Sequence, residues 1–203
     1  TKFRNCGQVC ISPQRFYVHE KIYEEFSALV ANYAAALTVG NGLDSETRLG
    51  PLINKTQQQH VLQIIEQAKE EKNNIITGGT AQHPGNFVLP TVIEVTNKQS
   101  EFIHKEIFGP VMPLIPFSTI EEVITLANQT PYGLSAYIWT NNINHAIYLS
   151  EALEFGMVGI NEWAPHATEA PFGGWKQSGI GHESGSEGMM EYMEKKLIAI
   201  GGL

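Results

Sequence analysis

Residues 15–37, RFYVHEKIYEEFSALVANYAAAL, decide the fold class. Residues 15–19 are rich in aromatic and β-branched side chains and predict a short strand. Apolar side chains then recur at helical spacing, from Ile22 through Phe26 to Tyr33 and Leu37, so residues 20–37 are predicted to form one amphipathic helix. A strand followed at once by a helix, repeated along a chain, is typical of an α/β fold.

The rest of the chain repeats this alternation, with short turns between the elements. The further strands are predicted over residues 74–77, 87–95, 111–117, 132–139, 157–160 and 196–200. The further helices are predicted to begin at Asn54 and Ser118 and to cover residues 143–154 and 185–193.

Local signals refine these boundaries. Asn54 with Gln57, and Ser118 with Glu121, have the spacing of a capping box at a helix start. The strand over 111–117 contains two prolines, which predicts a kink or an edge position. Residues 161–182 are rich in glycine and show no periodicity, and a loop of this length inside a compact domain is usually functional.

Length and composition predict one domain over residues 1–203 and exclude several function classes. The net charge is −8 and no Lys/Arg cluster is present, so we expect no nucleic-acid partner. No apolar run approaches 18 residues, which predicts neither a membrane span nor a signal peptide. Two cysteines four positions apart and seven scattered histidines predict no disulfide framework and no metal site. A reducing cytosol or organelle matrix fits this composition, and we expect the protein in the cytoplasm.

Cys10 is the first candidate for chemistry. It ends the run FRNCGQVC (residues 3–10), just after a Gly-Gln turn. A thiol in such a bend can be exposed, and neighbouring backbone amides can lower its pKa towards the nucleophilic thiolate. The alternative is a buried small apolar residue, which is the usual fate of a lone cysteine and our prediction for Cys6.

The second candidate is EIFGP, residues 106–110. Its Gly-Pro turn can project Glu106 and Phe108 from one bend. A carboxylate can accept hydrogen bonds from two sugar hydroxyls, while an aromatic ring packs on a flat ligand ring. The alternative is a helix end closed by an apolar plug.

The third candidate is PFGGWKQSGIGHE, residues 171–183. Its glycines lack the third glycine of a dinucleotide fingerprint, and no Gly-Lys-Ser/Thr is present, so phosphate binding is not predicted. A loop that lines a substrate pocket, with Phe172 as its apolar plug, fits better.

Taken together, these stretches resemble the NAD(P)-dependent aldehyde dehydrogenases over essentially all 203 residues. The resemblance rests on five motifs in order: NxGQxC at 5–10, GPLI at 50–53, EIFGP at 106–110, TPYGL at 130–134 and PFGGxKxSG at 171–179. It implies the C-terminal, thiol-bearing catalytic part of such an enzyme. The implied fold is a mostly parallel twisted sheet flanked by helices, with a C-terminal oligomerisation strand over 195–201.

The resemblance also implies a role for each matched residue. Cys10 would attack the aldehyde carbon to give a thiohemiacetal, which loses hydride to the nicotinamide and becomes a thioester that water hydrolyses. Glu106 would bind the nicotinamide ribose, and Phe108 would pack near the nicotinamide. Phe172 would form a wall of the aldehyde pocket. Glu183 would serve a proton relay, with a solvated helix-start carboxylate as the alternative.

Other positions bear on the loop and on the substrate. Asn5 is expected to support the cysteine loop. Arg4 matches an arginine that binds the distal carboxylate of succinate semialdehyde in one subfamily, and a guanidinium suits a carboxylate because it offers a planar pair of donors. Against that subfamily, residues 166–170 read HATEA where a serine is common, and Ser12 stands where some members carry a second cysteine.

In this family the dinucleotide-binding domain, the general base and the oxyanion-binding Asn precede the cysteine motif. We therefore expect this polypeptide alone to be inactive in NAD(P)-dependent oxidation, with NAD or NADP serving only the whole enzyme, a homodimer or homotetramer. Two alternatives remain at this point: a non-catalytic interaction or assembly module, and a cofactor-free thiol esterase with Glu183 as its base.

Overall fold

A computed structural model describes residues 1–82 and 84–202 of the chain. Contacts within it cluster into two units, the first ending at Gln129 and the second beginning at Thr130. Each unit has its own sheets and helices.

The first unit is built on a four-stranded sheet. The six strands of this unit are β1 (Phe16–His19), β2 (Asn74–Thr77), β3 (Ala81–Gln82), β4 (Phe87–Val88), β5 (Thr91–Glu94) and β6 (Val111–Phe117). Its α-helices are α1 (Tyr23–Ala35), α2 (Lys55–Glu70) and α3 (Ile120–Asn128), with short 3₁₀ turns at Arg4–Gly7, Glu20–Ile22 and Glu101–His104. The sheet order is β1-β6-β5-β2, while β3 and β4 form a separate hairpin.

This sheet confirms the predicted fold class. Strand β6 pairs in parallel with both β1 and β5, and only β2 is antiparallel to its neighbour. Strands of a parallel sheet are buried on both faces, so their sequences are apolar throughout rather than alternating. In β6, Val111 and Ile115 belong to the core cluster around α2, whereas Met112 and Leu114 belong to the cluster around α1.

The edge position predicted for residues 111–117 is wrong, because β6 lies between β1 and β5. Its two prolines are tolerated by the register. Backbone N–H groups alternate between the two neighbours of a strand, and Leu114 O accepts from Val95 N on the β5 side. The nitrogen of Pro113, which has no hydrogen to donate, therefore faces β1, and the pairing of β1 with β6 begins only at Leu114. The nitrogen of Pro116, which also lacks a hydrogen to donate, faces β5, and the pairing of β5 with β6 ends at Leu114.

The capping predictions have mixed outcomes. Asn54 Oδ1 accepts from Gln57 N at 2.8 Å, which confirms Asn54 as the cap. The reciprocal half of the predicted box is not confirmed, since the Gln57 amide donates to Ile107 O and Phe108 O. The helix after β6 is instead capped one residue later than predicted. Thr119 Oγ1 accepts from Glu122 N at 3.2 Å, and Glu122 Oε2 accepts from Ser118 N at 2.8 Å. Thr119 therefore replaces Ser118 as the cap.

Some boundaries are narrower than the periodicity predicted. The helix predicted over residues 20–37 begins as a 3₁₀ turn, and its α-helical part is α1 alone. The extended segment over 87–95 is divided into β4 and β5 around Pro90.

The second unit contains a parallel strand pair joined by a helix. Its elements are β7 (Tyr132–Gly133), β8 (Ser135–Ile138), α4 (Ile143–Ala152), β9 (Met157–Ile160), β10 (Trp175–Lys176) and α5 (Gly185–Met190). Strands β8 and β9 are parallel with α4 as their connection, and β10 pairs antiparallel with β7. The strand predicted over 132–139 is thus two short strands, and α5 is shorter than the predicted 185–193.

The C-terminal segment departs furthest from its prediction. No strand is assigned over residues 195–201, where Leu197, Ile198 and Ile200 are 92%, 70% and 75% exposed. An apolar sequence forms a strand only beside another strand that satisfies its backbone groups. In the described part of the chain, no helix has the length and apolar character needed to cross a membrane.

Candidate active site

The cysteine motif folds into a tight reversal of the backbone. Asn5, Cys6 and Gly7 all have left-handed backbone angles, with φ of 48°, 59° and 74°. Asparagine tolerates this region better than most residues, and glycine adopts it without steric cost. Gln8 N donates to Asn5 O at 3.0 Å, and Asn5 Nδ2 donates to Gln8 O at 3.2 Å. Asn5 therefore supports the loop, as expected.

The reversal separates the two thiols. Cys10 is exposed, whereas Cys6 is only 2% exposed. Burial raises the pKa of the Cys6 thiol to about 12, an effect partly opposed by Lys2. Cys6 is therefore a protonated core residue at neutral pH, and Cys10 is the thiol that a solute can reach.

The cysteine loop packs directly against the second candidate motif. A Cβ atom on Gly7 would overlap the carbonyl group of Gly109 and would lie 3.3 Å from Lys2 O. Only a glycine allows this approach. The loop that carries Cys10 and the loop that carries Glu106 are consequently in backbone contact.

The cysteine loop is also anchored to the start of α2. Gln8 Oε1 accepts a hydrogen bond from Ile53 N at 3.0 Å. Ile53 is the last residue of the GPLI motif, and Asn54 after it caps α2. Two of the five sequence motifs thus meet through one side-chain hydrogen bond.

The EIFGP segment forms a strained bend. Phe108 is half-buried and has a φ of 43°, in the left-handed region that large side chains rarely adopt. Glu106 is largely exposed, and partial desolvation raises the pKa of its carboxyl group. His60 on α2 lies 3.2 Å from Glu106 O through its Nε2 atom. The bend presents a carboxylate and an aromatic ring two residues apart.

In the second unit, the structure brings Phe172 and Glu183 together. Phe172 N donates to Glu183 O and Glu183 N donates to Phe172 O, both at 2.7 Å. This pair of hydrogen bonds closes the base of the glycine-rich loop. Strand β10 lies within that loop and pairs with β7, which lies outside it. Phe172 is half-buried and Glu183 is exposed.

Arg4 is exposed at the first residue of the 3₁₀ turn that leads into the cysteine loop. Its guanidinium is therefore open to a solute, six residues before Cys10. Among residues 1–82 and 84–202, no group of three or more His, Cys, Asp or Glu side chains could hold a metal ion.

Sequence reasoning missed three glutamines whose side chains bond to backbone atoms of these loops. Gln8 accepts from Ile53 N, Gln14 accepts from Ile107 N, and Gln57 donates to Ile107 O and Phe108 O. Gln8 appeared only as a letter of the cysteine motif, Gln57 only as a capping-box residue, and Gln14 lies outside both. A glutamine side chain that bonds to a distant backbone leaves no local periodic signal.

Comparisons with known proteins agree with the resemblance. The sequence model of the aldehyde dehydrogenase family matches residues 1–198. Over all 203 residues the chain is 45% identical to a mitochondrial succinate-semialdehyde dehydrogenase of Oryza sativa subsp. japonica, covering 38% of that protein. It is 40% identical to a 3-sulfolactaldehyde dehydrogenase of Pseudomonas putida, covering 42% of it.

Solved structures give the same match. The succinate-semialdehyde dehydrogenase of Burkholderia pseudomallei aligns with a TM-score of 0.91 at 40% identity, covering 94% of this chain and 40% of that one. An NAD⁺ complex of an aldehyde dehydrogenase from Bacillus cereus aligns with a TM-score of 0.90 at 40% identity, covering 95% and 40%. The chain thus spans about two fifths of the length of these relatives.

Lys2, next to the cysteine loop, allows the cost of burying a charged side chain to be tested. It is 4% exposed, its Nζ has no hydrogen-bond partner among the described residues, and burial lowers its pKa to about 7. Between pH 7 and its usual value of 10.5, the unfolded chain binds more protons at Lys2 than the folded one. This residue therefore makes stability rise with pH across that window.

We expect Lys2→Met to be more stable than wild type at pH 6, because it removes the buried charge. The difference in free energy of unfolding should shrink as pH rises from 7 to 9, measured by urea unfolding of the 203-residue polypeptide. The exposed Lys21→Met is the matched control and should show no such trend. A Lys2→Met difference that is the same at pH 6 and pH 9 would contradict the buried-charge account.

Proposed function

Because the chain belongs to the aldehyde dehydrogenase family, we propose that it carries the catalytic thiol of an enzyme that oxidises an aldehyde to a carboxylic acid with NAD⁺ or NADP⁺. The observation that carries this proposal is the exposed Cys10 on a loop packed against the Glu106–Phe108 bend, while Cys6 in the same loop is buried. We assign residues 1–203 to the catalytic domain.

Cys10 performs the covalent chemistry. Its thiolate Sγ attacks the carbonyl carbon and forms the C–S bond of a thiohemiacetal, whose oxyanion accepts from a backbone amide at the cysteine loop. Loss of hydride from that carbon leaves a thioester on Sγ. Attack by water then breaks the C–S bond, releasing the carboxylic acid and the free thiol.

The Glu106–Phe108 bend fits the nicotinamide end of a dinucleotide. The exposed Glu106 carboxylate can accept hydrogen bonds from the two ribose hydroxyls, and the half-buried Phe108 ring offers a flat apolar face. When bound, the nicotinamide supplies the hydride acceptor. The residues present therefore fit this group.

Phe172 and Glu183 act from the glycine-rich loop. The resemblance assigns Phe172 to the wall of an aldehyde pocket and Glu183 to a proton relay. The paired backbone hydrogen bonds between them support a shared position at the base of that loop.

The substrate is an aldehyde with a distal anion, of which succinate semialdehyde is the first candidate. Arg4 binds the distal carboxylate through two parallel N–H donors. The names of two relatives support this class, since succinate semialdehyde and 3-sulfolactaldehyde both carry an anionic group away from the aldehyde.

We place the enzyme in the cytoplasm as a homodimer or homotetramer. The exposed apolar segment over 195–201 would become a strand by pairing with another part of the oligomer. That pairing would also supply the backbone partners that the segment needs.

The decisive pair of variants is Cys10→Ala and Cys6→Ala in the natural gene product. We expect Cys10→Ala to lose at least about 1,000-fold in NAD(P)-dependent oxidation of succinate semialdehyde, a lower bound because loss of a catalytic nucleophile can cost about 10⁶-fold. Cys6→Ala should stay within a few-fold, because its thiol is buried. NADH or NADPH formation at 340 nm measures both.

Thiol mapping provides the control. Iodoacetamide should label Cys10 and leave Cys6 unlabelled in the folded protein. The 203-residue polypeptide by itself should be labelled in the same way but should form no NADH above background. Retained oxidation in Cys10→Ala would overturn the proposal.

Arg4→Ala tests the substrate class. We expect kcat/KM for succinate semialdehyde to fall about 10- to 100-fold, the worth of a lost hydrogen-bonded charge, with little change for butanal. The exposed Arg48→Ala is the matched control. An equal fall for both aldehydes would contradict a role for Arg4 in binding the distal anion.

A further inference from the structure

The backbone conformation at Phe108 has to be held in place by contacts from outside the bend. A φ of 43° at a bulky aromatic residue stores strain, and such residues persist only where their surroundings over-determine the conformation. Phe108 lies two residues after Glu106, so any relaxation of the bend would move both side chains. The surroundings of Ile107 and Phe108 show what opposes that relaxation.

The first hold comes from α2. Gln57 Nε2 donates to Ile107 O at 3.1 Å and to Phe108 O at 2.9 Å. One amide can reach two successive carbonyl oxygens only where the backbone bends between them. Gln57 lies in the first turn of α2 and is half-buried, so its amide is fixed by the helix.

The second hold comes from the segment that follows the nucleophile. Ile107 N donates to Gln14 Oε1 at 3.2 Å. Gln14 Nε2 in turn donates to Ser12 O at 3.0 Å, which fixes the orientation of the amide. Ser12 is buried two residues after Cys10, so this chain of bonds connects the nucleophile segment to the bend.

We propose that Gln14 and Gln57 are positioning residues, which together hold the Glu106–Phe108 bend in its strained conformation and at a fixed place relative to Cys10. Neither touches the reacting atoms in this role. The effect of this positioning on catalysis rests on the proposed function, because the bend must align a nicotinamide with the substrate carbon that is bonded to Sγ. A shift of about 1 Å in such an alignment can cost about 100-fold in rate.

The test uses Gln14→Met and Gln57→Met, which keep the side-chain length and remove the hydrogen bonds. Gln58→Met is the matched control, because Gln58 Nε2 also donates to two carbonyl oxygens, those of Gly85 and Phe87, away from the bend. Amide hydrogen exchange over residues 106–110 reads the bend directly. Oxidation kinetics and the rate of Cys10 alkylation by iodoacetamide report on the active site. All three measurements use the natural gene product.

We expect both Gln14→Met and Gln57→Met to raise amide exchange over residues 106–110 about 10-fold or more. The kcat/KM for the nucleotide should fall about 10- to 100-fold, while the alkylation rate of Cys10 stays within about two-fold. Gln58→Met should lower the melting temperature without changing exchange at the bend or nucleotide kinetics.

The glutamate variants sharpen the assignment, because Gln14 is an acceptor towards the bend and Gln57 is a donor. Gln14→Glu keeps an acceptor for Ile107 N and should stay closer to wild type than Gln14→Met. Gln57→Glu cannot donate and should behave like Gln57→Met. The reverse order would overturn the proposal.

Unchanged exchange over 106–110 in both methionine variants would also overturn it, even if nucleotide kinetics changed. Raised exchange with unchanged kinetics would reduce the two glutamines to structural residues and overturn their positioning role. If the wild type oxidises no aldehyde, the proposed function fails, and the exchange measurement still decides whether the hold exists.

Discussion

The candidate site depends on one close approach of backbone to backbone. The carbonyl group of Gly109 occupies the space that a Cβ on Gly7 would need, and Gly7 has a left-handed φ of 74°. The loop with the exposed Cys10 thiol and the loop with the Glu106 carboxylate therefore share one packed contact. Neither loop can relax without changing the environment of the other.

The sheet of the first unit gives this contact a rigid base. Strand β6 starts at Val111, two residues after Gly109, and is buried on both faces between the clusters around α1 and α2. Helix α2 adds the other support, since Ile53, just before its cap, donates to Gln8 and its first turn bonds to the Phe108 bend. Sites held by regular elements are more precise than sites that depend on loops alone.

Local sequence rules predicted most of the elements, and the exposure of individual residues, better than the contacts between elements. The thiol exposure at Cys10, the burial of Cys6 and the cap at Asn54 each follow from a few neighbouring residues. The bond from Ile107 N to Gln14 joins residues 93 positions apart, and no periodicity encodes it. The central place of β6 was missed for a related reason, because the effect of Pro113 and Pro116 depends on where neighbouring strands end. The C-terminal segment needs a strand partner, which its own composition cannot supply.

Replacement of Gly7 by alanine measures the central contact most directly, with Gly42→Ala as control because a Cβ at Gly42 meets nothing within 4 Å. We predict that Gly7→Ala forces the two loops apart and lowers kcat/KM for aldehyde oxidation at least about 100-fold, while Gly42→Ala stays within about two-fold. A Gly7→Ala protein that melts like wild type and keeps its full kcat/KM would contradict the account.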